Sequence, residues 1–542
     1  MTPVSDKETF DYVIVGAGSA GGLLASRLTE RADVTVCLLE AGGEDRHPYI
    51  HIPAGFIRTL GSKSLMWDFR SEAAENTAGR SIALPQGRVL GGSSSINGLI
   101  YNRGQPADFD LWAQLGNAGW SFADVLPYFR RTERWTGPAD ADYRGRDGRL
   151  TVAEQDWRIP LADAFIEGAA SLGIPRVRDH NGRHYAGIGY YQRTVRGNRR
   201  ESVATAFIHG ARRRPNLSLR LRSQVLRIVF EGRRAVGVVY ARPDGSRVEV
   251  RARHEVILSA GAINTTRLMQ ISGVGNPGVL SAAGVPVIHA LPGVGENLQD
   301  HYAVRMVARV RNARTINEIA RPPRLWWEVV KWGLGRRSIL NLGPSLVHVL
   351  WKSDEALSEP DLQCSFTPGS YREGHLGALD AFPGMTCGIY QQRPSSRGYV
   401  RIDAPDPGAM PRIQPNYLAS DFDRRAVIGG LRLIRRLLGS APLAPFNDGE
   451  VFPGAATQGD DELLDFARRK GGTAYHLCGT SRMGSPDDPS AVVSPELEVH
   501  GLQGLRVVDA SVMPAIPSGN INVPTLMIAE KAADMILRRR GP

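Results

Sequence analysis

The 542-residue chain is poor in cysteine, in lysine and in long apolar runs. Its four cysteines, Cys37, Cys364, Cys387 and Cys478, form no C-x-x-C pair. That scatter argues against a disulfide framework and against a cysteine zinc site, and no metal is expected. No stretch approaches the roughly 18 consecutive apolar residues that mark a membrane-spanning helix. The N-terminus has no basic-then-apolar leader, and the first predicted strand begins near residue 10. The expectation is therefore a cytoplasmic protein without a cleaved signal, with peripheral contact at the inner face of a membrane left open. Only six of the 66 basic residues are lysines, which leaves sixty arginines. These are spread along the chain, with short clusters at 212–214 and 538–540. Nucleic-acid binding calls for one concentrated patch, so that class is not expected. With 55 acidic residues the net charge is +11, which suits an acidic partner or an anionic membrane. Repeats and low-complexity segments are absent as well.

What the chain has in quantity is glycine, 60 residues of it. Residues 11–43, DYVIVGAGSAGGLLASRLTERADVTVCLLEAGG, combine an apolar β-branched strand, a glycine turn, a helix and a second strand. Gly16, Gly18 and Gly21 form G-x-G-x-x-G. The first permits a tight turn, the second lets backbone approach a pyrophosphate, and the third lets the helix pack against the strand. The helix N-terminus turns free N–H groups and a positive dipole end towards a phosphate. The second strand, residues 34–39, ends in Glu40, 19 residues after Gly21. A carboxylate there accepts ribose hydroxyls and repels a 2′-phosphate, so NADP is not expected. Strand, helix, second strand and acid together read as a dinucleotide site, although this motif alone does not separate NAD from FAD.

Further along, residues 105–135 read as helical with starts near Pro106 and Ser121, and residues 161–174 as another helix. Residues 217–260 are β in character, with Pro243-Asp244-Gly245 as a hairpin turn. Strand candidates follow at 361–367, 385–392 and 398–403, then helices at 424–438 and 524–539, the last starting at Pro524. Nucleotide-binding signals thus sit at the start, middle and end, with β-rich material between them. This spacing suggests one nucleotide-binding domain built from separated segments, with a substrate domain inserted. The segment 321–336, RPPRLWWEVVKWGLGR, has two readings: a lid or membrane-facing amphipathic helix, or a helix of the inserted domain that buries its tryptophans. The second is the expectation, because apolar residues at helical spacing are usually core.

Six ordered motifs carry a family resemblance: FDYVIVGAGSAG at the start, GRVLGGSSSINGLIYNRG at 87–104, SAGAINTTRLMQISGVG at 259–275, LPGVGENLQDH at 291–301, YHLCGTSRMG at 475–484 and VVDASVMPAIPSGNINVPTLMIAEKAADMI at 507–536. Over nearly its whole length the chain resembles the glucose–methanol–choline (GMC) oxidoreductases, within them the choline dehydrogenases and the acceptor-dependent FAD alcohol dehydrogenases. The resemblance implies an α/β fold with an α+β insert: a Rossmann-like FAD-binding domain and an inserted antiparallel-sheet substrate domain roofing the flavin. It implies an FAD-binding domain from residues 1–155, 201–305 and 466–542, and a substrate domain from 156–200 and 306–465. Together with the glycine fingerprint it implies FAD contacts at Gly16, Gly18, Ser19, Ala20, Gly21, Glu40, Ala41, Trp67, Arg88, Gly91, Gly92, Ser93, Asn97, Gly98, Val225, Ala260, Gly261, Asp509, Ala510, Asn520 and Ile521. His476 matches the catalytic histidine and Asn520 its partner.

Oxidising an alcohol removes a proton from oxygen and a hydride from carbon, and a histidine near its ordinary pKa of about 6.5 suits the proton. The expected reaction is oxidation of a primary alcohol to the aldehyde, with His476 as base, Asn520 orienting the hydroxyl, and hydride transfer to N5 of noncovalent FAD. Electrons then pass to a quinone or other acceptor. An oxygen-using alcohol oxidase of the aryl-alcohol or hydroxymethylfurfural type is the alternative, and a hydroxynitrile-lyase-like enzyme a more distant one. Two departures narrow this expectation. Ala303 stands where choline-specific members carry a carboxylate, which disfavours choline. Ile96 stands where some oxidases attach FAD through a histidine, which disfavours a covalent link. The oligomeric state is open.

Overall fold

The computed structural model describes residues 8–138, 140–372 and 378–539. The extreme N-terminus and Arg540, the last of the C-terminal arginine cluster, lie outside these residues.

The strand Glu8–Val15 sits inside a seven-stranded sheet. It runs parallel to Val36–Leu39 on one side and to Arg247–Leu258 on the other, and Leu217–Arg220 extends the sheet beyond Val36–Leu39. Tyr12 to Val15 are buried on both faces, which is why their apolar run does not alternate. The long strand Arg247–Leu258 serves two neighbours. Its first part pairs antiparallel with Arg234–Ala241 across the predicted hairpin, and its end pairs parallel with Leu505–Val507. The carboxyl ends of three parallel strands therefore converge. The loops leaving them carry Gly16 and Gly18, Ala260 and Gly261, and Asp509 and Ala510, at the sheet edge where open α/β folds bind ligands.

Local sterics fix the first of these loops. Gly16 has φ 101°, and a Cβ there would stand 2.5 Å from the Ser259 carbonyl oxygen. A Cβ on Gly21 would stand 2.0 Å from the Gly16 carbonyl oxygen. The helix Ser19–Leu28 can start only because both side chains are missing. It packs along the C-terminal helix Asn522–Arg539, where Ser19 Oγ donates to Asn522 Oδ1 at 2.7 Å and the Arg27 guanidinium forks onto buried Glu530. That C-terminal helix begins two residues before the expected Pro524.

A second seven-stranded sheet is antiparallel, in the order Asn447–Phe452, Tyr302–Val310, Gly384–Gln391, Leu362–Thr367, Val347–Trp351, Gly187–Tyr190, with Gly472–Thr473 as the seventh strand, also paired to Tyr302–Val310. Burial alternates along Tyr302–Val310, as expected for a strand with one core face. Val304, Met306 and Ala308 pair across to Ile389, Cys387 and Met385, and this face packs on the helices Asp421–Leu438 and Pro160–Ser171. The opposite face carries Ala303, Tyr390 and Gln363 in register, and Tyr390 looks onto His476. The α/β class with an antiparallel insert is as expected.

One expectation is overturned. The tryptophans of segment 321–336 are not core. In the helix Arg324–Gly333, Trp326 is 70% and Trp327 59% exposed, and only Trp332 turns inward. Helical spacing identifies an apolar face without saying which way it points. Here the inward face is mixed, with buried Glu328 beside half-buried Leu325, Lys331 and Trp332.

Candidate active site

The first strand's loop, the serine-rich loop and the C-terminal loop are tied by backbone contacts. Gly91 N–H donates to Ala17 O at 2.9 Å. A Cβ on Gly92 would stand 2.6 Å from Gly18 Cα, so the two loops approach backbone to backbone. Glu40 Oε2 accepts from Ala17 N–H at 2.9 Å and Oε1 from Gly42 N–H at 2.8 Å. Burial raises the Glu40 pKa to about 7 against the pull of these hydrogen bonds. Ala41 follows in this turn, and Ser223 N–H donates to Glu40 O at 2.8 Å, which places the start of the strand carrying Val225 beside it. Asp509 is held by Gly261 N–H and Thr265 Oγ1, and it caps Ala510–Val512 by accepting from Ser511 N–H at 2.8 Å. Trp67 lies under the Arg88 guanidinium, 4.5 Å from its ring centroid. Ser93 Oγ accepts from Gly87 N–H at 3.0 Å. Asn97 Oδ1 accepts from Leu99 N–H and from Arg200, and Gly98 lies against the ring of Pro344.

These residues fit a dinucleotide. Gly18, the N-cap of Ser19–Leu28, contributes no side-chain capping bond, and the first turn has no acid, so its N–H groups and dipole are available to a phosphate. A Cβ on Gly18 would meet only Gly92 Cα, at 3.8 Å.

Downstream, Gly479, Ser481 and Met483 donate backbone hydrogen bonds to Ala510, Ser511 and Val512. This ladder carries His476 to the carboxyl end of Leu505–Val507. Asp300 Oδ1 accepts from His476 N–H at 2.7 Å, while its Oδ2 accepts from Thr473 Oγ1 and Tyr417 OH. Burial raises the Asp300 pKa to about 6.

The tautomer of His476 follows from its partners. His301 Nε2 lies 2.8 Å from the Gln392 carbonyl oxygen, which can only accept, so His301 carries its proton on Nε2. Its Nδ1 is then a lone pair, 2.8 Å from His476 Nδ1, which must carry the proton between them. His476 Nε2 is thereby left as the unprotonated nitrogen, and it accepts from Asn520 Nδ2 at 3.0 Å. Both imidazoles are neutral. Burial depresses His301 to about 4 and His476 well below its ordinary value. Tyr390 stacks on His301 with ring centroids 4.6 Å apart and meets His476 edge-on. Asn520 Oδ1 is buried without a partner. Ile521 follows, closing the turn into the C-terminal helix.

Family models described as GMC oxidoreductase match residues 10–303 and 394–529. The chain belongs to the GMC oxidoreductase family. It is 39% identical to an oxygen-dependent choline dehydrogenase of Vibrio vulnificus, over 98% of this chain and 95% of that one. It is 38% identical to an acceptor alcohol dehydrogenase of Pseudomonas putida, over 98% and 96%. Among solved structures, pyridoxine 4-oxidase from Mesorbium loti superposes with a TM-score of 0.88 at 34% identity, covering 98% of this chain and 99% of that one. A formate oxidase variant of Aspergillus oryzae RIB40 superposes at 0.91 with 25% identity, covering 99% of each. As a GMC oxidoreductase, this protein is an FAD flavoprotein.

Sequence reasoning missed three groups at the centre. His301 served there only as a landmark in NLQDH, Asp300 passed unremarked, and the Gln392 carbonyl has no residue-type signature. The adjacent Asp300-His301 pair was a visible signal. Cys478, two residues from His476, is fully buried, and desolvation pushes its thiol far above the usual range.

Proposed function

We propose that this GMC oxidoreductase oxidises a primary alcohol to its aldehyde, with His476 Nε2 taking the hydroxyl proton. The carrying observation is the directed chain from Gln392 O through His301 to His476, which leaves Nε2 unprotonated and facing the Asn520 amide. A substrate hydroxyl placed between His476 Nε2 and Asn520 Nδ2 donates to the first and accepts from the second. As the proton arrives, His476 becomes an imidazolium, and its Nδ1–H to His301 strengthens as a charge-assisted bond. Asp300 fixes the backbone of His476 while this happens. Bound FAD supplies the hydride acceptor, and we read it as noncovalent because position 96 is the buried, unreactive side chain of Ile96.

For the substrate we favour an uncharged alcohol over choline. The relatives include both kinds of enzyme at nearly equal identity, 39% and 38%. Ala303, in register with Tyr390 on the site-facing side of the antiparallel sheet, brings no carboxylate for an ammonium. For the electrons we favour a quinone or other acceptor, in line with the acceptor alcohol dehydrogenase relative. The test is the visible spectrum of the purified protein during anaerobic addition of primary alcohols, choline among them. Bleaching by an uncharged alcohol and not by choline supports the reading. No bleaching by any alcohol overturns it, and rapid recolouring in air would assign an oxidase.

A further inference from the structure

The helix Arg324–Gly333 turns most of its large apolar side chains outward. Its inward side, formed by Leu325, Glu328, Lys331 and Trp332, is firmly anchored. Buried Glu328 pairs with Lys331, and its Oε2 accepts from Ile339 N–H at 2.9 Å. Ser338 Oγ donates to the Glu328 carbonyl at 2.9 Å. Trp332 Nε1 donates to Asn198 O at 2.9 Å. The helix cannot roll to bury its other face without breaking these bonds. That other face presents Trp326, Trp327, Val329, Val330 and Leu334, with Trp326 70% and Leu334 65% exposed. On a helical wheel these five share one side.

Charge supplies the second observation. Arg321 and Arg324 at one end, and Arg336 and Arg337 at the other, are exposed. The acids of the segment are engaged internally, Glu328 as above and Glu318 on the backbone N–H of Thr315. One outside acid approaches, Asp156, 3.6 Å from Arg337. An apolar face with two tryptophans and arginines at both ends has the makeup of a helix lying in the plane of a bilayer interface. The arginines match anionic headgroups.

We infer that the outward face of helix Arg324–Gly333 docks this protein onto an anionic lipid surface. The exposed arginines flank the apolar stripe in sequence, at both ends of the helix. From the helix the chain runs through Ile339–Asn341 to Pro344, against Gly98 of the serine-rich loop. The docking itself does not depend on the alcohol-oxidation reading.

The test is flotation of the FAD-loaded protein with vesicles of phosphatidylcholine alone and of phosphatidylcholine mixed with phosphatidylglycerol. The expected result is binding to the mixed vesicles only, weakened by salt. The double variant Trp326→Ser, Trp327→Ser should lower that binding about tenfold or more, with flavin content and reduction by alcohol unchanged. Both tryptophans are exposed, so the variant should fold, and retained flavin verifies this. Absence of binding to anionic vesicles, or binding that the double variant leaves intact, overturns the proposal. So does a wild-type dimer that the double variant splits into monomers, since a second copy would then own the face.

Discussion

His476 is kept neutral at physiological pH by burial. Replacing His476 with alanine should leave FAD bound and slow its reduction by alcohol by roughly 10²-fold or more, measured by stopped-flow absorbance. The pH profile of the wild-type rate follows from the direction of the shift. A depressed imidazole pKa keeps the base form present through neutrality, so the acid limb should fall below the ordinary histidine value of about 6.5. His301 acts through His476 and is a positioning residue. His301→Ala removes the acceptor for Nδ1–H and frees His476 to place its proton on the wrong nitrogen. A lost hydrogen bond to a charged group costs about 1.5–3 kcal/mol, so the rate should drop roughly 10- to 100-fold. The same change takes away the acceptor that steadies the His476 imidazolium, so the acid limb should move further down in pH. A slower variant with an unmoved limb would mean that His301 is only packing. His476 and Asn520 were legible because each sits in a motif of recognisable residue types. His301 owes its role to a carbonyl 91 positions away in sequence, which no motif contains.

At the scale of elements, side-chain absence decides as much as side-chain presence. Gly21→Ala would drive a methyl group into the Gly16 carbonyl, 2.0 Å from the ideal Cβ. Because the obstacle is backbone, the helix Ser19–Leu28 must shift away from its strand, an overpacking cost of about 1–3 kcal/mol. The expected outcome is a protein purified with substoichiometric FAD and a lower melting temperature. Full flavin occupancy would show that the cradle tolerates the shift. The β-hairpin at Pro243-Asp244-Gly245, the helix start at Ser121 and the strands Leu362–Thr367 and Gly384–Gln391 stand within a residue or so of where turn chemistry and apolar runs place them. Ser121 is a true cap: its Oγ accepts from Asp124 N–H, and its own N–H donates to Asp124 Oδ2 at 3.1 Å. The tryptophan helix was legible as a helix but not in its facing. Periodicity carries a phase within the element and no information on where the neighbours lie.

On the scale of the molecule, the first core is assembled from residues far apart in sequence, from Tyr12 through Leu258 to Ile536. The strand Leu505–Val507 and the helix Asn522–Arg539 complete the sheet and cover the first helix. A chain ending before Leu505 should therefore fail to fold rather than yield a smaller flavoprotein, and soluble, flavin-bearing material from it would contradict this. Legible in the sequence were the dinucleotide fingerprint, the α/β character with an antiparallel insert, and the motifs that hold His476 and Asn520, because these are written in local spacing and residue type. Only the tertiary structure decided the tautomer of His476, the place of Asp300 beneath it and the outward turn of Trp326 and Trp327. Each of those depends on which distant backbone group or element stands opposite, and that is settled when the two sheets and their helices close on one another.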